Sequence, residues 1–465
     1  MSTALQPVRP LSFLEKYFTT RHFLGLDACV VSSARYTFPP GQAVTEKLLI
    51  SALRTVINSH GELGLRLHGK EDTPDLTFVK LPNIDLSRVV VFTTDLERDL
   101  QTALEWHLST PLENTQADLP LWRLEVLPDN TIILAAHHAI LDGLSHAAFH
   151  TALLEALNTS LSLGVHSDSD SGPVAEIPEV FLPRTLEELV DIRPSLYNIA
   201  NAFYELLVPK SWQPGFTAWT GRPVPATPTL KTQVRLLSLS PSDAARLADS
   251  CRTHKATINS ALYALSVSTL ATLLTSTSTL PPQHSLAKYK TVSILTPLSA
   301  RPLLNISPTA FGNYITSHHT FPALNPTFSW DLATRFASEL KAQRGSTTGY
   351  GALGIMRMAE KQYVKFFKGT LGKKRRFGVA LSNLGRVDPS VHSVLKGNSG
   401  DEQQCGIEEM FFSPCDPVMG AALGISVVGD PRGGLNIVFK WGVDSLHTQF
   451  VEKFVEEFRA ALLAL

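Results

Sequence analysis

At 465 residues the chain is too long for one small module and accommodates two large domains. Hydrophobic residues make up 44% and charged residues 18%, which excludes a disordered chain. Forty-one Lys and Arg against 42 Asp and Glu leave a formal charge of −1, which excludes a whole-molecule grip on nucleic acid or an anionic membrane. Cys29, Cys251, Cys405 and Cys415 lie too far apart for CxxC pairs. With no apolar leader at the start, a reducing, cytoplasmic setting is expected.

The first half alternates strand and helix patterns. Ala28 to Tyr36 is β-rich, Val44 to Ser59 carries Leu48, Leu49, Leu53 and Val56 on one helical face, and Arg88 to Thr94 is strand-like. A helix from about Leu96 to Trp106 precedes two strands, Trp122 to Leu127 and Thr131 to His137, joined by the turn Pro128-Asp129-Asn130. Gly143 to about Leu157 reads as a helix and Asn158 to Ala175 as a surface loop. Prolines crowd residues 209–228, which read as a linker between a first domain, 1–208, and a second, 229–465. The second begins with strand Thr232 to Leu237 and a helix start at Ser240-Pro241-Ser242-Asp243. A long buried helix from about Thr257 to Leu274, strands near Thr291 to Thr296 and Phe377 to Ser382, a hairpin within Gly420 to Trp441 and a closing helix from Ser445 to Leu463 complete a second α/β unit. The apolar stretch Ala261 to Leu280 is broken by Ser and Thr and suits a buried helix better than a membrane span.

The sharpest local feature is Ala135-Ala136-His137-His138-Ala139-Ile140-Leu141-Asp142-Gly143. An apolar strand ends in two histidines, and Asp-Gly follows just before a helix, which puts an imidazole at a strand-to-helix corner. Three readings are open at this point: a core histidine pair with an ordinary turn, a metal site drawing on His146 and His150 at i and i+4, and general-base catalysis by one of the pair. No HExxH and no Cys pair supports a metal, and none is expected.

The motif His137-His138-xxx-Asp142-Gly143 resembles the active-site motif of the chloramphenicol-acetyltransferase-like superfamily, which includes condensation domains, plant BAHD acyltransferases and fungal alcohol O-acetyltransferases. Arg9-Pro-Leu-Ser-Phe-Leu-Glu15, Arg21-His-Phe-Leu-Gly25, Pro120-Leu-Trp-Arg-Leu124, Pro297-Leu-Ser-Ala-Arg301-Pro-Leu, Phe311-Gly-Asn313-Tyr and Ser382-Asn-Leu-Gly385 resemble the fungal alcohol acetyltransferases in family order. The BAHD string Asp-Phe-Gly-Trp-Gly is absent; Lys440-Trp441-Gly442 does not reproduce it. The resemblance implies an α/β fold of two chloramphenicol-acetyltransferase-like domains, each a mixed sheet with helices, with a tunnel between them. It also implies an acyl-coenzyme A co-substrate with no bound cofactor, and a small alcohol as acceptor. His138 becomes the expected base, His137 its support, and Asp142 a structural residue facing an arginine, for which Arg301 is the candidate.

No Ser or Cys nucleophile motif stands out, so direct transfer in a ternary complex is expected, with Asn313, Ser382 or the Gly143 N–H as oxyanion donors. Arg357, Lys361 and Lys365 recur every four residues, which predicts one cationic helix face, and Lys368, Lys373, Lys374, Arg375 and Arg376 follow. The last four are candidates for the phosphates of coenzyme A or for an acyl carrier protein. The leading expectation is an O-acyltransferase of secondary metabolism acting on a small alcohol. The alternatives are a carrier-bound polyketide or peptidyl donor and a non-catalytic ligand-binding relative.

Overall fold

The strands build two mixed sheets whose inner strands, such as Thr131–Ala136, Leu423–Gly429 and Leu435–Gly442, are buried along their whole length. The computed structural model describes residues 6–70, 76–112, 118–164, 172–179, 182–209, 212–213, 215–275, 289–344, 350–387 and 404–465. The first sheet has five strands in the order Gly406–Pro414, Val30–Thr37, Thr131–Ala136, Trp122–Val126, Val90–Phe92, all antiparallel except the last pair. The hairpin between Trp122–Val126 and Thr131–Ala136 turns through Asn130, whose φ of 63° is one that Asn tolerates better than most residues, while Asp129 Oδ1 accepts from the Thr131 N–H at 3.1 Å. Helices Glu46–Ser59 and Gly143–Ser162 pack together, with Leu49, Leu53, Ile57, Leu153 and Leu157 in one buried core. The helix expected from Leu96 begins at Leu100 instead: Asp95 closes a turn onto the Glu97 N–H, and Asp99 is the N-cap, accepting from Thr102 N–H at 2.7 Å. Of the loop read over Asn158 to Ala175, residues 158–162 continue the helix and 165–171 lie outside the described residues.

The second sheet has six strands, Thr232–Leu239, Leu435–Gly442, Leu423–Gly429, Val379–Arg386, Ile294–Ser299 and Ile315–Thr320 in spatial order, with parallel pairs at its centre. Helix Pro241–Thr253 starts as read, with Ser240 Oγ accepting from Asp243 N–H at 3.2 Å. Among the described residues, Ile258–Thr275 is the one helix long and apolar enough to cross a membrane, and most of it is buried in this half. Helix Thr448–Leu463 lays Phe450, Phe454 and Phe458 into the same core as Phe439 and Trp441. All four cysteines are buried and free.

Two further features depart from the sequence reading. Strand Gly406–Pro414, in the second half of the chain, completes the first sheet by pairing with Val30–Thr37. Lys440 of the second sheet then binds the Pro414 carbonyl and the Asp416 carboxylate just past that strand, so the crossover is fastened to both halves. The cationic helix face is not one helix: Arg357 lies on Gly351–Met358, Lys361 in the 3₁₀ turn Glu360–Gln362, and Lys365 on Tyr363–Lys368.

Candidate active site

Strand Thr131–Ala136 is buried throughout and delivers His137 and His138 to the corner that Asp142 closes. Asp142 is the N-cap of helix Gly143–Ser162: Oδ1 accepts from Ser145 N–H at 3.0 Å and from Ser145 Oγ at 2.9 Å. The same carboxylate takes a two-pronged grip from Arg301, Nη1 to Oδ2 at 2.7 Å and Nη2 to Oδ1 at 2.9 Å, and Oδ2 also accepts from Tyr314 N–H at 3.1 Å. Both Asp142 and Arg301 are 1% exposed, so neither charge reaches water and each is balanced by the other. Arg301 donates further to the Ala310 carbonyl at 3.0 Å, and its guanidinium lies over the Tyr314 ring. Gly143 has no room for a side chain, because a Cβ would stand 2.7 Å from Leu384 Cδ2 and 2.8 Å from Phe412 Cζ.

His138 faces a cavity of about 1380 Å³ between the halves, lined also by Gly143, Leu144, Ser299, Ser382 and Phe412. On its other side the Phe18 ring stacks on the imidazole, centroids 3.7 Å apart and planes within 14°. Burial pushes the ring down to about 4, against the pull of Asp142 and of its own backbone carbonyl, so it is neutral near pH 7. Nδ1 is shut away from solvent without a well-aligned partner. The arrangement leaves a neutral imidazole, backed by an aromatic ring, at the wall of a roomy cavity. That is a group able to accept a proton there.

His137 turns away from the cavity. Its Nδ1 accepts from Ala139 N–H at 2.9 Å, its ring lies against that of His22, and burial holds it well below the usual histidine range. His146 and His150 are engaged elsewhere, His146 Nδ1 and His150 Nε2 sharing the Ser32 hydroxyl at 2.9 and 3.0 Å while Tyr36 bonds His150 Nδ1 at 3.0 Å. Among the described residues no group of three or more His, Cys, Asp and Glu is arranged to hold a metal ion.

The oxyanion candidates separate. Asn313 donates both amide hydrogens to backbone, to the His138 carbonyl at 2.7 Å and the Ala139 carbonyl at 2.9 Å, so it pins the corner and has no donor left for a substrate. Ser382 lines the cavity, and Gly143, at the first turn of its helix, brings a backbone N–H there.

None of Lys373, Lys374, Arg375 and Arg376 lines the cavity. Lys374 Nζ donates to the carbonyls of Gly215, Phe216 and Ala218 at 2.7–2.9 Å. Arg375 is buried, donates to the carbonyls of Val418 and Gly420, and is pushed down to about 10 by that burial. Cations do line the cavity elsewhere. Arg252 is paired with Asp249 and Arg432 with Glu408, whereas the side chains of Lys255, Lys341 and Arg344 are exposed and have no partner among the described residues.

Sequence reasoning missed Phe18 and the buried pair Arg21–Asp27 at 3.2 Å beside the corner. Burial pushes Asp27 up to about 6 against the pull of Arg21. The signal available was an aromatic residue and an arginine on one helix, Phe13–Phe23, which buries polar and apolar residues alike and so carries no periodicity that singles them out.

Residues 94–462 match the family model for alcohol acetyltransferases. Over 98% of this chain and 95% of the relative, the sequence is 25% identical to a probable alcohol acetyltransferase, FCK4, of Fusarium pseudograminearum. It is likewise 25% identical to a probable alcohol acetyltransferase, crmB, of Aspergillus fumigatus, over 92% of this chain and 93% of that one. In fold it is similar to the TRI3 trichothecene 15-O-acetyltransferase of Fusarium sporotrichioides, with a TM-score of 0.69 at 14% identity covering 100% and 99% of the two chains. The first condensation domain of the CDA synthetase is also similar, with a TM-score of 0.57 at 16% identity over 98% and 95%.

Proposed function

The chain belongs to the alcohol acetyltransferase family and is an acyltransferase, and from that premise we propose that it moves an acetyl group from acetyl-coenzyme A to the hydroxyl of a small organic alcohol, with His138 as general base. The observation that carries this reading is the neutral imidazole of His138 in the wall of the inter-sheet cavity, on a corner locked by Asp142 and Arg301. His138 takes the hydroxyl proton as the alcohol oxygen attacks the thioester carbonyl carbon. The tetrahedral oxyanion is met by Ser382 Oγ and the Gly143 N–H. Its collapse breaks the carbon–sulfur bond, and the departing thiolate recovers the proton from His138, giving ester and free coenzyme A. The donor's phosphates lie toward Lys255, Lys341 and Arg344, the cations of the same cavity that have no partner among the described residues.

The test is thiol release from acetyl-coenzyme A by the purified chain with a panel of small alcohols. Alcohol-dependent release is expected, and His138→Ala should lower kcat by about 10²–10⁴ in a folded protein. No alcohol-dependent release by the wild type, or near-normal turnover in a folded His138→Ala protein, overturns the reading.

A further inference from the structure

Helix Leu196–Leu207, with Trp212 just beyond it, shows an apolar face to solvent. Helix Leu196–Leu207 exposes Leu196, Ala200, Phe203 and Leu207, which at i, i+4, i+7 and i+11 form one stripe. Leu196 is 86% and Leu207 77% exposed, and Trp212, just beyond, is 74% exposed. A surface helix of this amphipathic spacing normally turns that stripe into a core. The segment is fastened at both ends: Gly354 abuts the Ile192 carbonyl and Pro194, and Lys374 caps the carbonyls of Gly215, Phe216 and Ala218.

The neighbouring surface is cationic. Helix Gly351–Met358 packs against Leu196–Leu207, and from its end Arg357, Lys361, Lys365 and Lys368 point into solvent with no partner among the described residues. Glu360, the acid among them, is drawn off by Lys16 at 3.7 Å. Interleaved with these cations are two more exposed apolar side chains, Met358 and Phe366.

We propose that this face docks on the surface of an anionic lipid bilayer, helix Leu196–Leu207 lying in the interface with its stripe toward the acyl chains and the Arg357–Lys368 cations over the headgroups. Twelve residues make a helix about 18 Å long, well short of a hydrocarbon core of about 30 Å, so it lies in the plane and does not span. A second copy of the chain is a poorer occupant, because a two-fold contact would bring two cationic collars together. A near-neutral chain gives no global attraction, so the grip is local and combines apolar burial with charge.

The test is co-sedimentation of the full chain with phosphatidylcholine vesicles and with phosphatidylcholine vesicles holding about 30 mol% phosphatidylserine, at low and high salt. Binding is expected to favour the phosphatidylserine vesicles and to weaken with salt. Phe203→Glu with Leu207→Glu should lower binding at least about tenfold while leaving acetyl transfer in solution unchanged, and Lys361→Glu with Lys365→Glu should lower binding to the anionic vesicles by a similar factor. If the first pair fails to fold, the lysine pair alone decides. The proposal is overturned if the wild type binds neither vesicle, if both folded variants bind as the wild type does, or if the Phe203/Leu207 variant turns a solution dimer into a monomer, which would make the face a protein interface.

Discussion

Asp142 is legible in the sequence as the start of a helix, but its partner is not. Arg301 lies 159 positions away, and only the family resemblance joined the two; spacing along the chain carries no record of a contact that long. Because both groups are buried, removing one strands the other's charge, so Arg301→Ala should destabilise by about 3–5 kcal/mol and depress the melting temperature together with turnover. Arg301→Lys should recover only part of this, since one ammonium cannot grip both carboxylate oxygens and reach the Ala310 carbonyl. A thermal melt of the two variants checks the order. His138 carries a separate expectation. As the proposed base it must be neutral to act, and burial holds the folded ring at about 4, so kcat/KM should rise through about pH 4 and be level above it. Stripping the stacked ring by Phe18→Ala admits water and should move that acid limb up toward the ordinary 6.5. An unchanged limb in the variant would show that Phe18 does not set the environment of the base.

Element by element, short-range patterns were read well where one face is buried. The cap at Ser240, the Asn130 turn and the helix Glu46–Ser59 are decided within a few residues, and there the reading and the structure agree. Charge is visible in a sequence, but what a charge faces is not. Lys374 and Arg375 serve backbone carbonyls, whereas Lys255, Lys341 and Arg344, scattered over 90 positions, converge on the cavity from helix ends. Replacing these three by Gln or Met should raise KM for acetyl-coenzyme A about tenfold or more with kcat nearly constant, because phosphates far from the reacting carbonyl bind the ground and transition states alike. Acetyl-pantetheine, which lacks the phosphates, should be indifferent to the change. If neutralising residues 373–376 does this and the cavity triple does not, the donor site is misplaced.

For the whole molecule, two α/β halves were legible because each half carries its own periodicities. Strand Gly406–Pro414 was not, because it pairs with Val30–Thr37 some 375 positions away and nothing local distinguishes it from another strand of the second sheet. The same packing that closes the first half also buries a set of imidazoles, with a consequence for the entire fold. Burial pushes His22 and His138 down to about 4 and His150 to about 3, and holds His137 and His146 well below the usual range. In the unfolded chain all five titrate near 6.5. Below that pH the unfolded state binds protons that the folded state refuses, so stability is full above about 6.5 and is lost as the pH falls toward 4. Asp27, raised to about 6, works in the opposite sense and offsets roughly one of them. That leaves about four uncompensated, and at about 1.4 kcal/mol per pH unit for each imidazole even two of them remove about 6 kcal/mol over two units, against a typical total of about 5–15. Urea midpoints at pH 7.5, 6 and 5 should therefore fall steeply. His150→Gln, which keeps a hydrogen-bonding side chain toward Ser32 and Tyr36 but removes the titration, should flatten that fall by about one histidine's share. A midpoint that holds steady from pH 7.5 to 5 would mean that these rings take up protons in the folded state as readily as in the unfolded one.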